Sequence, residues 1–437
     1  MNKLIILILT LFVVSHSLAS QTQSDMIVNT LEAPSEGKEY ILLRGAKIHT
    51  MGSLGTIENA DLLIVDNIVQ EIGTSLAIPE GASVVDVSSK EITPGLINVS
   101  TAMGLVEIGA VKSTVDSRNT NEAYSASLSI ADVINANSSL WSHNRSNGLT
   151  NVIVKPSNSN SLFQGQGTVI QLTNNQDHIL LKDSVAYMTY GDAGAELANG
   201  TRALALQHIR QVFADLKSLS ESDEPDKYKP KGKLNIRELN ALLPVLIDSR
   251  PIVVSAHRVN DILAMLELAN QYSLTMIISG AEEAWKIKEQ VAAAKVALIV
   301  NPYNNLPTRF ETIGNRIDQM TLLHEAGVPM MISNNASHNA YVIRQIAGNA
   351  VAYGLPHSEA LAAITKVPAQ WFGLDSQIGT LESGMVANLV VWDGDPLEIT
   401  SSAEQVFIQG KTMPMKSRQT QLRDRYLQKD DRRSAYR

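Results

Sequence analysis

The strongest constraint on the fold is a repeated alternation of apolar strands and amphipathic helices in the middle of the chain. The sequence predicts strands at 149–154, 168–172, 252–257, 275–279, 296–300 and 328–332, and helices at 260–272, 282–293 and 316–326. In the first of these helices, apolar residues recur at the spacing of one helical face. Strands that alternate with helices predict a parallel sheet with crossover helices, which is an α/β fold.

Residues 92–375 are long enough to close this pattern into a (β/α)8 TIM-like barrel, which needs about 250 residues. An open, doubly wound sheet is the structural alternative. No Gly-x-Gly-x-x-Gly follows the first strand, so the sequence gives no support for a dinucleotide site.

Short strands separated by Gly and Pro flank the barrel segment on both sides. They are predicted at 40–48, 60–65, 68–72, 82–87, 387–393 and 403–409, with a tight turn at Asp66-Asn67. We expect a small composite β-sandwich domain built from both chain ends, residues 21–91 and 376–415. A charged insertion at 218–234 is typical of a solvated surface loop, and residues 416–437 form a charged C-terminal tail.

The N-terminus predicts export. Lys3 precedes the apolar run Leu4 to Val14, and small residues follow at Ser17 and Ala19, so residues 1–20 have the pattern of a cleavable signal peptide. The periplasm is the expected location, and an uncleaved anchor is the alternative. The sequence contains no cysteine, which excludes disulfides and a thiol nucleophile. A net charge of −8 disfavours a nucleic-acid partner.

Two motifs carry a family resemblance. Pro94-Gly95-Leu96-Ile97 resembles the start of the first barrel strand in the amidohydrolase superfamily, and residues 379–391, GTLESGMVANLVV, resemble that superfamily's C-terminal hairpin. The chain is similar in particular to secreted imidazolonepropionase-like amidohydrolases. The resemblance implies a barrel that hydrolyses carbon–nitrogen bonds other than peptide bonds, such as those of cyclic amides. It also implies one or two divalent ions, zinc or another metal, held by His and Asp at the strand ends.

The positions that match those ligands carry other residues. Ser100 and Ala102 stand in place of the two histidines of the first strand, Ser255 and Ser279 in place of later histidines, and Asn335 in place of the metal-binding aspartate. A methyl group cannot bind a metal, and an amide cannot take a proton from water at neutral pH. The resemblance therefore predicts no metal ligands and no metal cofactor here. His257 is either a displaced ligand or a histidine that only makes hydrogen bonds.

The polar residues expected at the barrel mouth form the candidate site. His257, Ser255 and Asn335 are the candidate catalytic residues. The candidate binding residues are Ser100, Arg258, Ser279, Glu282, Asn301 and His338. A pairing of His257 with Ser255 or Ser279 is conceivable, but no Gly-x-Ser-x-Gly motif supports it.

Three functions remain open at this point. The first is a metal-free pseudo-enzyme that keeps the barrel to bind a small-molecule ligand at its mouth. The second is an active hydrolase of carbon–nitrogen bonds with a non-standard site, and the third is a subunit that partners an intact homologue. No nucleic-acid partner is expected, and no membrane contact after cleavage of the signal peptide.

Overall fold

The computed structural model describes residues 37–173, 177–303 and 305–427. The predicted signal peptide and the end of the charged tail lie outside these residues. The strands are β1 Tyr40–His49, β2 Thr56–Val65, β3 Ile68–Gly73, β4 Ser83–Asp86, β5 Glu91–Pro94, β6 Leu96–Thr101, β7 Arg118–Asn119, β8 Leu149–Val154, β9 Ser157–Asn158, β10 Phe163–Gln171, β11 Ile179–Thr189, β12 Ile252–Ala256, β13 Met276–Gly280, β14 Ala297–Val300, β15 Met330–Ile332, β16 Leu389–Trp392, β17 Ala403–Ile408 and β18 Lys411–Thr412. The α-helices are α1 Ser139–Arg145, α2 Gly191–Leu197, α3 Arg202–Ser220, α4 Ile236–Ile247, α5 Val259–Tyr272, α6 Lys288–Ala293, α7 Gln319–Glu325, α8 Ile343–Ala352, α9 His357–Ala362, α10 Lys366–Trp371 and α11 Arg418–Leu427.

Eight strands form a nearly closed barrel in the order β15-β14-β13-β12-β11-β10-β8-β6. β15 and β6 are the two end strands of this order. Ser333 follows β15, and its hydroxyl donates to Asn98 Oδ1 at 3.0 Å and to the carbonyl of Ser100 at 3.2 Å, both in β6. The barrel prediction is confirmed.

One strand departs from the predicted strand–helix repeat. The segment predicted at 168–172 lies in β10, which runs antiparallel to both β8 and β11. The connections at 155–162 and 172–178 are too short for a parallel crossover, which needs about a dozen residues or more. The third position of the barrel is therefore built from hairpins.

Apolar residues pack on both faces of the barrel strands. One large core lies between the strands and helices α3 to α8. A second core contains alternate residues of the same strands, together with Phe372 and Leu374 after α10. It includes Ile153, Val253, Ile277, Ile299 and Met331. Because side chains alternate along a strand, this second set fills the barrel interior.

The strands near both chain ends lie in one second sheet, in the order β18-β17-β16-β5-β1-β2-β3, with β4 beside β1. β5 pairs with β16, so segments far apart in sequence are neighbours in this sheet. The predicted turn at Asp66-Asn67 joins β2 and β3. Both sheets belong to one compact unit, residues 39–437, and the division of the chain into domains stays a prediction.

The charged insertion folds back onto α3. The buried carboxylate of Asp215 accepts hydrogen bonds from the Tyr228 hydroxyl and from the backbone of Lys231 and Gly232, at 2.7 to 3.2 Å. Helix α11, in the charged tail, has no buried residue. No helix in the described parts of the chain combines the length and the apolar content needed to cross a bilayer.

Trp392 connects the two sheets. Its indole is fully buried and donates to Thr93 Oγ1 at 3.0 Å, and the guanidinium of Arg344 lies over the ring. Gly148, just before β8, has φ +96°, and a Cβ there would lie 2.4 Å from the indole. Only glycine therefore fits at position 148.

We expect Gly148→Ala to destabilise the protein by about 1–3 kcal/mol, because the new methyl group overpacks against Trp392. Urea unfolding followed by circular dichroism measures this. Gly109→Ala is the matched control, since a Cβ at Gly109 meets no atom within 4 Å. Equal stability of the two variants would contradict the role assigned to Gly148.

Candidate functional site

Polar side chains replace apolar ones where the barrel strands end. Lys155 lies two residues after the interior residue Ile153. In the same way, Ser255 follows Val253 and Ser279 follows Ile277. Side chains two residues apart share a strand face, so these groups continue the interior of the barrel at its mouth. Ser255 and Ser279 are partners in the register of β12 and β13. The C-terminal ends of the strands are where binding sites lie in barrels of this kind.

The first cluster at the mouth centres on the amide of Asn335. Its Oδ1 accepts a hydrogen bond from the hydroxyl of Ser100 at 2.6 Å and one from Nζ of Lys155 at 3.1 Å. A carbonyl oxygen has two lone pairs, so it can accept both. Asn335 has φ +52°, a left-handed conformation that asparagine tolerates better than most residues. The structure thus brings together Ser100 and Asn335, two predicted site residues, and adds Lys155.

The position of Lys155 follows from the local sequence. It comes directly after β8, and its backbone N–H donates to the carbonyl of Thr101 at 2.9 Å, beside the end of β6. Pro156 follows, and a residue before proline is held in the extended region. The strand direction therefore continues through Lys155 and carries its side chain to Asn335.

The ammonium of Lys155 has no carboxylate partner among the described residues, and its acceptor is the neutral amide of Asn335. The side chain is partly buried. Burial disfavours the charged form and lowers the pKa of Lys155 to about 8.

The second cluster centres on His257, which follows β12. Its Nδ1 lies 2.6 Å from Glu282 Oε2, and its Nε2 lies 3.7 Å from Glu311 Oε1. Burial lowers the pKa of His257, but the hydrogen bond to Glu282 and the charges of Glu282 and Glu311 outweigh it. The pKa of His257 therefore lies above its ordinary value. This arrangement favours a protonated imidazole.

Arginines balance the carboxylates around Glu311, whose side chain is buried. Arg309 lies 3.2 Å from Glu311 Oε1 and Arg202 lies 3.3 Å from Glu311 Oε2. Arg202 also bonds to Asp192 and, at 3.1 Å, to Asp261. Each of these carboxylates has a basic partner, so this region is a structural network around His257.

Two glycines make the approach of these groups possible. Gly280 has φ +96°, and a Cβ there would lie 2.5 Å from the His257 ring. Gly191 has φ +83°, and its Cβ would lie 2.8 Å from Glu311 Oε2. Any larger residue at either position would separate His257 from its carboxylates.

The remaining predicted residues lie outside the two clusters. Arg258 is exposed before α5, and the Asn301 side chain accepts from the backbone of Tyr303 at 3.2 Å. His338 is exposed, and the centroid of its ring lies 5.7 Å from that of His143, with the two rings tilted by 37°. His257 is hydrogen-bonded to Glu282 rather than to Ser255 or Ser279. The catalytic and binding roles assigned to these residues stay predictions.

Sequence reasoning missed Lys155, Glu311 and Arg202. Lys155 could have been found, because it directly follows a strand that was predicted with correct bounds. Glu311 lies in a short 3-10 helix after β14, and no motif marks it. Arg202 begins α3 and meets the site only through the fold.

Comparison with known proteins agrees with the barrel and the site region. The model of the amidohydrolase family matches residues 255–415, from the end of β12 to the second sheet. This part of the chain is therefore similar to the amidohydrolase family. An amidohydrolase from Thermotoga maritima MSB8 has the same fold, with a TM-score of 0.76 and 24% identity over 86% of this chain and 99% of that one.

Curated relatives match shorter segments of the chain. An imidazolonepropionase of Aeromonas hydrophila is 34% identical over 101 residues, which is 22% of this chain and 25% of that protein. Amidohydrolase tasK of Hapsidospora irregularis is 29% identical over 164 residues, 36% of this chain and 17% of that protein. The matched segments span a quarter or less of these relatives' own length.

The described residues at the barrel mouth do not fit the divalent ion that the amidohydrolase family implies. The hydroxyl of Ser100 donates its hydrogen to Asn335, and the cation beside it is the ammonium of Lys155, which repels a metal ion. Within residues 37–173, 177–303 and 305–427, no group of three or more His, Cys, Asp or Glu side chains is arranged to hold a metal. A catalytic zinc site needs three protein ligands.

We expect Glu282→Gln to lower the pKa of His257, because it removes the nearest negative charge. In the wild type this pKa is raised above 6.5, so protonation stabilises the fold. That contribution is complete below pH 6.5 and is lost as the pH rises through the folded-state pKa. Histidine resonances followed by NMR against pH measure the shift.

The control is Glu359→Gln, which alters the exposed pair with His324 at 3.8 Å. It should leave the His257 titration unchanged. If Glu282→Gln also leaves it unchanged, the carboxylate of Glu282 does not set this pKa.

Proposed function

We propose that this member of the amidohydrolase superfamily binds a small molecule at the barrel mouth without a metal ion, and that it has lost the metal-dependent hydrolysis of its family. The observation that carries the proposal is the double hydrogen bond to Asn335. An acceptor that already receives a hydroxyl and an ammonium has no lone pair left for a metal ion.

Accessible polar groups at the strand ends support ligand binding. Asn335 is exposed, and Lys155, Ser255 and Ser279 are partly buried. Below them the barrel interior is apolar. A ligand therefore meets a floor of apolar side chains and a rim of donors and acceptors, the composition that small-molecule sites share.

Metal analysis tests this proposal. After incubation with excess zinc and dialysis, we expect far less than one zinc ion per chain. The positive control combines Ser100→His, Ala102→His and Asn335→Asp with Lys155→Ala, which restores three ligand side chains and removes the positive charge. One tightly held zinc ion per wild-type chain would overturn the proposal.

The second candidate is hydrolysis of a carbon–nitrogen bond by His257 without a metal. The raised pKa of His257 and its bond to Glu282 favour a role as a general acid. In that case His257→Ala abolishes turnover of a cyclic amide while circular dichroism shows an intact fold. Turnover that survives the substitution would exclude His257.

We also propose that the protein is exported, because Lys3 and the apolar run from Leu4 to Val14 have the pattern of a signal peptide. Pairing with an intact homologue is proposed as a further possibility, with α11 as the docking element, because that helix buries none of its own residues. Co-purification of the full chain with such a homologue tests it.

A further inference from the structure

Lys155 differs from an ordinary surface lysine in its partners. Its Nζ contacts an amide oxygen, whereas the exposed Lys182 forms an ion pair with Asp132 at 2.8 Å. The hydrogen bond to Asp132 raises the pKa of Lys182, and burial lowers the pKa of Lys155 to about 8. At pH 7, about a tenth of Lys155 is the neutral amine, far more than for a lysine with an ordinary pKa.

The position of Lys155 adds a geometric argument. Its backbone is anchored to Thr101 between two barrel strands, and its side chain lies on the face that continues the barrel interior. The side chain is partly buried, and the Asn335 amide that the amine contacts is exposed at the mouth. An amine that is desolvated, fixed and reachable has the properties of a nucleophilic lysine.

We propose that Lys155 forms an imine with an aldehyde or a ketone that binds at the barrel mouth. This names the ligand class of the proposed function and rests on a mouth without metal. Nothing in the family match assigns a role to this residue, because Lys155 lies outside residues 255–415.

The reaction needs no oxidant or reductant. The lone pair of neutral Nζ attacks the carbonyl carbon, the C=O π electrons move to oxygen, and a proton passes from nitrogen to that oxygen. Loss of water from the carbinolamine leaves a C=N bond to Nζ. Asn335 orients the amine by accepting one of its hydrogens, and it adds no negative charge that would keep the amine protonated.

Trapping tests the proposal on the full chain. The protein is incubated with propanal and sodium cyanoborohydride at pH 7, and peptide mass spectrometry locates the resulting propyl amine. We expect Lys155 to be labelled at least about tenfold faster than Lys182, in line with the difference in neutral amine. Labelling of Lys155 at or below the rate of Lys182 would overturn the proposal.

Asn335→Asp supplies a second readout that a purely structural lysine would not show. It is close in shape to the wild type and places a carboxylate against Nζ. The pH midpoint of labelling at Lys155 should move upward, and labelling at pH 7 should fall several-fold, with Lys182 unchanged. An unmoved midpoint in a folded variant would show that Asn335 does not set the reactivity.

Lys155→Arg keeps the positive charge and removes the nucleophile. It should leave the labelling of other lysines unaltered while the peptide around position 155 stays unmodified. The labelling experiment and the metal analysis have separate outcomes. A metal-free protein with an unreactive Lys155 would contradict only this inference. A protein that holds zinc would contradict the proposed function.

Discussion

The contact between the Lys155 ammonium and the Asn335 amide determines what the barrel mouth can do. It places a positive charge, partly removed from water, against a neutral acceptor at the strand ends. A desolvated cation without a counter-ion is unfavourable, and it has three ways to lower its free energy: it loses its proton, binds an anion or reacts. The second and third of these depend on a ligand that reaches the mouth of the barrel.

The two clusters at the mouth differ in their electrostatics. Around Glu311, arginines and the imidazole of His257 compensate the carboxylates, and the groups hold one another in place. Around Asn335, the polar groups are neutral except for Lys155. The cluster around Glu311 fixes the geometry of the mouth, and the cluster around Asn335 leaves a charge available to a ligand. Within the described residues, the histidine and the acids near Glu311 are not arranged as a metal-binding group.

Much of the fold was predictable because apolar residues that become buried recur at regular spacing along the sequence. Residues 149–154 were predicted as a strand with the bounds that β8 has, and the turn at Asp66-Asn67 was placed correctly. The antiparallel direction of β10 was missed, because strand direction depends on the length of a connection that the pattern does not mark. In the site, Ser100 and Asn335 followed from motif positions, and His257 with Glu282 from their places after strands. The role of Glu311 could not be predicted from the sequence, because its contact with His257 forms only when two distant loops come together in the fold.

The pairing of β5 with β16 has a consequence for the order of folding. Residues 91–94 find their hydrogen-bond partners at 389–392, so the middle of the second sheet stays open until nearly all of the chain has been synthesised. The hairpins β8–β10 and β10–β11 need only near neighbours and can form while later segments are still being made. The barrel wall that carries Lys155 is thus made from the most local contacts in the barrel, and the sheet that joins the two ends closes last.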